Sequence, residues 1–397
     1  MIRALRIASP TAEDQSTNDA SPAMDVYLVG AMLFLLGMGL LMVTTASMPL
    51  ADRNYGDALY FMYKQFFSVT LGLLAAVGVA RISVNVWQQL APVLLAVGAV
   101  LLILVLIPGL GVEVNGSSRW LDLGVIRLQS SELMKLFLIM YISDYVARRP
   151  DEVRQTFAGF FKPFAVAAVA SFLLLMEPDF GATVVILGTV LCMLFVAGAR
   201  IRYFMAIFTV AVFSGAALVW TAPERMQRIT GFLDPWADPF DSGFQLTQAL
   251  IAFGRGEWFG VGLGNSVQKL LYLPEPHTDF VLAILAEELG LVGLVVIVAM
   301  FALLLMRMFI IATEAQHREA AFSTNAVFGI AIWFGIQFLI NVGVNMGVLP
   351  TKGLTLPLMS YGGSSIVVMC IAAAFVLRVD MENRLAQKPV RRKRIRV

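Results

Sequence analysis

Residues 280–306 read FVLAILAEELGLVGLVVIVAMFALLLM. At about 1.5 Å rise per residue, a helix over this run is longer than the roughly 30 Å hydrocarbon core of a bilayer. Only Glu287 and Glu288 interrupt it, about 12 Å from its start at that rise. Nine further apolar runs have spanning length: 26–48, 62–80, 87–107, 131–147, 161–177, 181–198, 203–221, 324–346 and 361–379. Pro178-Asp179-Phe180 alone separates two of them, which suits a tight helical hairpin. The run at 26–48 is too long for the apolar stretch of a signal peptide and lacks a small-residue cleavage site after it. Residues 1–23 are rich in Ser, Thr, Asp, Asn and Pro and read as a disordered tail. The expected fold is therefore an all-α polytopic membrane protein. It has ten transmembrane helices over 24–380 and a basic tail over 381–397.

Composition agrees. Of 397 residues, 59% are hydrophobic and 14% charged, and mean hydropathy is +0.79. Soluble chains sit nearer 45–50% apolar and about 25% charged. A soluble enzyme, a disordered regulator and a nucleic-acid binder are excluded on this ground. Cys192 and Cys370 both lie in apolar runs, so neither a disulfide framework nor a thiolate metal site is expected. Two histidines, His277 and His317, exclude a multi-histidine zinc site.

Basic residues set orientation. With the N-terminus in the cytoplasm, 19 of the 29 Lys and Arg fall on inside segments and the C-terminal tail, against 10 outside. Both termini are thus expected to be cytoplasmic. The tail Arg391-Arg392-Lys393-Arg394-Ile395-Arg396 reads as a contact for anionic lipid heads. In this topology residues 222–278 form one long outer loop, and a connection of that length usually has structure or function of its own. Asp234-Pro235-Trp236-Ala237-Asp238-Pro239 is turn-rich, and Gln245 to Phe253 suits a short helix. The other outer segment, 108–130, carries Trp120 and scattered Leu and reads as a surface-lying element.

Ionisable groups at membrane depth are functional candidates. Glu132 and Lys135 are three apart on the fourth helix and can pair; they either ease burial or face a substrate. Of Glu287 and Glu288, which cannot point the same way, one faces a polar cavity or is bonded between helices. Lys352 snorkels to lipid phosphates or binds a substrate phosphate as a point charge. Asp279 stands where the long loop enters the eighth helix. Spacing alone reads it as an N-cap or as a functional carboxylate. Ser360-Tyr361-Gly362-Gly363-Ser364-Ser365 allows close packing, or offers amides to an anion. Gly260-Val261-Gly262-Leu263-Gly264 follows no strand, so it is no dinucleotide fingerprint. The charges cluster at the outer ends of helices 4, 8 and 10. A transport pathway would need matching groups on the inner half, where Asp144 is the best candidate and little lies beyond it. That distribution favours an enzyme acting on an amphiphile at the outer leaflet over a transporter.

Asn341-Val342-Gly343-Val344-Asn345-Met346-Gly347-Val348-Leu349-Pro350-Thr351-Lys352-Gly353-Leu354, followed by Ser360-Tyr361-Gly362-Gly363-Ser364-Ser365, resembles the signature of the FtsW/RodA/SpoVE group, the SEDS proteins. Gly262-Leu263-Gly264-Asn265-Ser266-Val267-Gln268-Lys269-Leu270, Tyr272-Leu273-Pro274-Glu275 and His277-Thr278-Asp279-Phe280 look more like the division members of the group than the elongation members. Asp234-Pro235-Trp236 and Gly243-Phe244-Gln245-Leu246-Thr247-Gln248 agree. The resemblance implies a peptidoglycan glycosyltransferase of the bacterial inner membrane that polymerises lipid II at the division septum, with 222–278 periplasmic. It implies a single-span class B transpeptidase and the FtsQ, FtsL and FtsB subcomplex as partners. A lipid II flippase is the alternative it leaves open. Asp279 matches the family's essential aspartate and becomes the expected general base. Glu132, Lys135, Lys352, Arg119, Gln268, Ser360, Gly362, Gly363 and Ser364 are the expected substrate-binding residues. A polyprenyl pyrophosphate leaves as an anion, so the chemistry needs one base and nearby cations but no general acid. A divalent cation, Mg or Mn, is compatible with it, although the sequence shows no dedicated metal cage.

Overall fold

The computed structural model describes residues 24–114, 117–122, 124, 127–220, 226, 231–241, 243–270, 272–351 and 353–387. The expectations for the N-terminal tail, Lys352 and the Arg391–Arg396 stretch lie outside the described residues. The chain runs through α1 (Val26–Tyr55), α2 (Tyr60–Arg81), α3 (Val84–Leu106), β1 (Gly111–Val114), β2 (Ser117–Asp122), β3 (Arg127–Gln129), α4 (Ser130–Arg148) and α5 (Pro150–Gln155). It continues through α6 (Phe157–Met176), α7 (Phe180–Val196), α8 (Ile201–Trp220), α9 (Phe244–Gly256), α10 (Val281–His317), α11 (Ala321–Asn345) and α12 (Gly363–Gln387).

Among the described residues, α1, α2, α3, α6, α10, α11 and α12 are long and apolar enough to cross a membrane. The three other expected spans also fall on helices. Of these, α4 carries Glu132, Lys135, Asp144 and Arg148, and α7 and the apolar part of α8 are shorter. The chain is thus a helical, multi-pass membrane protein. Its core holds Trp333, Phe160, Phe301, Phe334 and Phe375, while Phe66, Leu74, Phe172 and Phe213 are exposed, as lipid-facing side chains would be. The short helix expected at 245–253 is α9.

Two features differ from expectation. The 108–130 segment is a three-stranded antiparallel sheet in the order β1-β2-β3, with Val112 opposite Trp120 and Leu121 opposite Leu128. Gly124, at φ +83°, follows Asp122, whose side chain accepts its N–H at 2.8 Å. The second difference is a break in α10 at Gly290, where φ is +66° and ψ −165°. A side chain there would collide with the Gly260 amide nitrogen. The incoming loop supplies what the break removes. Val261 and Gly262 amides donate to the Glu287 and Glu288 carbonyls at 3.0 and 3.1 Å. Leu291 and Val292 amides donate to the Glu257 and Trp258 carbonyls at 2.9 and 3.1 Å. Interrupted helix is tolerated at membrane depth only where other protein satisfies the freed backbone.

Side chains reinforce this splice. Glu287 accepts the hydroxyl of Ser266 and the amides of Val267 (3.0 Å) and Gln268 (3.3 Å). The Lys269 ammonium bonds Glu288 at 2.9 Å and the Gly264 carbonyl at 2.7 Å. Both glutamates are fully buried. Both anchor the same loop.

Asp25, Arg307, Asp380 and Arg384 form a further charged cluster. Asp25 caps α1 by accepting the Leu28 amide at 2.9 Å. Its other oxygen takes the Arg307 guanidinium of α10, with Arg384 of α12 at 3.7 Å. Arg384 in turn holds buried Asp380 at 2.8 Å. These groups are paired to one another and pin three helix ends together.

Candidate active site

The site forms where four segments converge: the end of the long loop, the α6–α7 hairpin, strand β2, and the stretch between α11 and α12. One face of α11 organises it. Trp333, Gln337, Asn341 and Asn345 recur every four residues, so they share that face. Gln337 accepts from Lys135 at 3.1 Å and from Trp333 at 2.9 Å, and donates to the Thr355 carbonyl at 3.0 Å. Asn341 donates to the carbonyls of Leu354 (2.6 Å) and Asp279 (3.1 Å). Asn345 donates to the Asp279 carbonyl at 3.0 Å and accepts the Ala283 amide at 3.2 Å. Each such bond contributes on the order of 0.5–1.5 kcal/mol, and together they fix the backbone of Asp279.

Asp279 is not the helix cap. Phe280 occupies that position without a side-chain bond, and Asn345 supplies the acceptor from the neighbouring helix. The Asp279 carboxylate accepts no hydrogen bond from the described residues, and a side chain on Gly353 would stand 3.2 Å from its Oδ2. Although Asp279 keeps partial exposure, the surrounding chain desolvates its carboxyl. That burial, reinforced by the negative charge of Glu275 and opposed by Arg119, pushes its pKa up to about 7. A base that titrates near neutrality and has no competing donor is suited to take a proton.

Arg119 reaches from β2 to the hairpin, where it donates to the carbonyls of Glu177 (3.4 Å) and Pro178 (2.7 Å). The hairpin turns as expected: Asp179 accepts the Ala182 amide at 3.0 Å and so caps α7. Glu177 is buried beneath Arg119, with Ser130 of α4 at 3.5 Å from its Oε2. On α4 the Glu132–Lys135 pair closes at 2.8 Å and is buried, with the Lys135 ammonium 5.1 Å from the centre of the Trp333 ring.

The remaining expected residues divide into two groups. Ser360 accepts the Leu356 amide at 2.8 Å, and Ser364 accepts the Gln129 amide at 3.0 Å, tying this stretch to the root of α4. Tyr361 donates its amide to the His277 carbonyl at 2.9 Å, next to Asp279. Gly362 and Gly363 fit closely, with Ser68 of α2 about 3.5 Å from where a Gly363 side chain would start. Gln268 is instead tied through its amide to Glu287, two turns along α10 from Asp279, and its side-chain Oε1 is buried without a partner among the described residues. Sequence reasoning missed Gln337, the placing roles of Asn341 and Asn345, and Glu177. The four-residue spacing of polar groups on an apolar helix was the available signal for the first three. Among the described residues no three His, Cys, Asp or Glu side chains gather to hold a metal. The donor set does not fit a dedicated cation cage, and no chemical step is routed through one.

Residues 26–385 match the FtsW/RodA/SpoVE family, described as cell cycle proteins. The chain is 55% identical to the probable peptidoglycan glycosyltransferase FtsW of Nitrosococcus halophilus, covering 93% of this chain and 95% of that one. It is 49% identical to the protein of the same name in Legionella pneumophila, covering 91% of each. Two solved structures share the fold. One, described as coordinating polymerization and crosslinking in a peptidoglycan synthase complex, gives a TM-score of 0.75 at 30% identity, covering 91% of this chain and 99% of that one. The other, the rod shape determining protein RodA of Thermus thermophilus, gives 0.67 at 27% identity, covering 93% and 99%.

Proposed function

The chain belongs to the FtsW/RodA/SpoVE family, and on that premise we infer that it is a peptidoglycan glycosyltransferase that polymerises lipid II, with Asp279 as its general base. The observation that carries the assignment of the base is the Asp279 carboxylate itself. Its backbone is fixed by Asn341 and Asn345, its oxygens accept no hydrogen bond from the described residues, and its pKa lies near neutrality.

In this reading Asp279 takes the proton of the sugar 4-hydroxyl of the acceptor. The oxygen then attacks the anomeric carbon of the donor, and the bond to the polyprenyl diphosphate breaks. The diphosphate departs with the electron pair as an anion, so no acid is required. Arg119 is the described cation whose charge reaches Asp279, and Lys352, beside Gly353 in sequence, is the second cation assigned to the leaving group. Glu132 and Lys135 shape the substrate-facing wall through Gln337 and Thr355. Ser360, Gly362, Gly363 and Ser364 complete that wall, and Gln268 contributes from the loop.

All ten apolar helices are assigned as crossings, with both termini cytoplasmic and 222–278 periplasmic; the 19-to-10 distribution of basic residues supports this. The protein is assigned to the bacterial inner membrane at the septum. A single-span class B transpeptidase and the FtsQ, FtsL and FtsB subcomplex are its proposed partners. The inner charges do not support a flippase, because Asp25, Arg307, Arg384 and Asp380 bond one another. Purified protein given labelled lipid II, with and without the transpeptidase, tests the activity. Polymer on a gel is expected, and lipid II left unpolymerised by folded, partner-bound protein would overturn it.

A further inference from the structure

Glu177 is a buried carboxyl with an unfinished set of partners. It is 1% exposed. Its Oε2 lies 3.5 Å from the Ser130 hydroxyl, and its Oε1 has no hydrogen-bond partner among the described residues. Arg119 stands directly over the same residue, yet it bonds the backbone carbonyls of Glu177 and Pro178 and not the carboxyl. The charge of Arg119 is felt by both Glu177 and Asp279. One cation is therefore shared by two acids, and its position is set by the backbone of one of them.

We propose that Glu177 is a positioning residue for glycosyl transfer: it seats Arg119 on its backbone carbonyl and not on its carboxyl, leaving the guanidinium charge to Asp279 and the departing diphosphate. The inference rests on the assignment of Asp279 as base. An ionised Glu177 carboxylate would take Arg119 as its counter-ion and draw the charge away from the reacting atoms. The groups facing Glu177 fit this role. Asp179 on α7 opposes ionisation, Ser130 on α4 favours it weakly, and Arg119 on β2 favours it. Burial outweighs the last two and pushes the pKa up to about 8. The proton is held at neutral pH and lost above it.

Polymerisation of labelled lipid II by the purified full chain, in complex with its transpeptidase partner, is measured from pH 6 to 9.5. The wild type is expected to lose rate above pH 8. Glu177→Gln, which cannot ionise, is expected to abolish that alkaline fall. Ser130→Ala, which removes a bond favouring the carboxylate, moves the fall to higher pH. Arg119→Gln, whatever its lower rate, should show no alkaline fall, because no charge is left to capture. A purely structural Glu177 would change thermal stability and leave the profile where it was. An alkaline fall that persists unmoved in Glu177→Gln, or a wild type without one, overturns the proposal. Failure of the base assignment reads differently, as wild-type rates in Asp279→Asn.

Discussion

The side-chain amide of Asn345 holds the backbone carbonyl of Asp279 at 3.0 Å, from a helix that begins more than forty residues later in the chain. Its oxygen accepts the Ala283 amide at 3.2 Å, so one residue both caps α10 and holds the backbone of Asp279, the proposed base. Asp279 is held through its backbone, and no described residue donates to its carboxylate.

Asn345→Ala is therefore expected to lower the kcat of lipid II polymerisation by about a hundredfold with little change in KM, since a misplacement of about 1 Å has that effect. Asn345→Asp keeps an acceptor for Ala283 but loses the donor to Asp279. It should retain the thermal stability that Ala loses while staying slow. Steady-state kinetics with thermal unfolding checks both. A fast Asn345→Asp would show that capping alone matters.

The rate should rise with pH through an apparent pKa near 7, where Asp279 loses its proton. The negative charge of Glu275 raises this value and the positive charge of Arg119 lowers it. Glu275→Gln should thus shift the acid limb to lower pH, and Arg119→Gln to higher pH. Shifts in the reverse directions would remove Asp279 as the titrating group.

Lys269 and Glu288 form a buried pair at 2.9 Å that anchors the loop against the break in α10. Lys269→Met leaves Glu288 buried without its cation, which typically costs about 3–5 kcal/mol. Hydrogen exchange across 257–270 should accelerate and thermal stability should fall. Replacing both partners by apolar residues should restore much of the loss. A double variant as unstable as the single one would mean that the pair is not what secures the loop.

The ten helices are legible in the sequence because apolar length announces itself. The break at Gly290 is not. Gly290-Leu291-Val292-Gly293 continues an apolar run, and its backbone partners lie some thirty residues upstream. Glu287 and Glu288 mark the place, but only the fold shows that they bind a loop. The spacing of Trp333, Gln337, Asn341 and Asn345 is visible in the chain, yet which carbonyls they hold is a long-range fact. Asp25, Arg307 and the Asp380–Arg384 pair are far apart in the chain, and packing brings them together. The resemblance supplied Asp279, whereas local spacing favoured a cap that Asn345 provides.

Orientation can be read with two single cysteines in a chain lacking Cys192 and Cys370. At position 237 an impermeant thiol reagent should label intact spheroplasts, and at position 155 it should label only after lysis. The reverse pattern would place Asp279 in the cytoplasm and end the outer-leaflet assignment.

Asp279→Asn separates the two roles that local sequence offers for this residue. Asn is about as good a cap as Asp, and the cap here is Asn345 in any case. Folding should therefore survive the change. Asn cannot take a proton, so polymerisation should fall by roughly two to four powers of ten. Stability gives an independent sign. The folded pKa of Asp279, about 7, lies above the ordinary aspartate value of 3.8. Ionising the group in the folded protein is unfavourable, and the penalty grows as pH rises from about 4 to 7 and then levels off. Asn escapes it. The variant should unfold at a higher temperature than the wild type at pH 8, and the difference should shrink toward pH 5. Thermal unfolding at both values, with lipid II polymerisation and transpeptidase binding on the same preparations, reads every arm. A folded, partner-binding variant that polymerises at the wild-type rate would move the base to another carboxylate, and Glu132 would be the next to test.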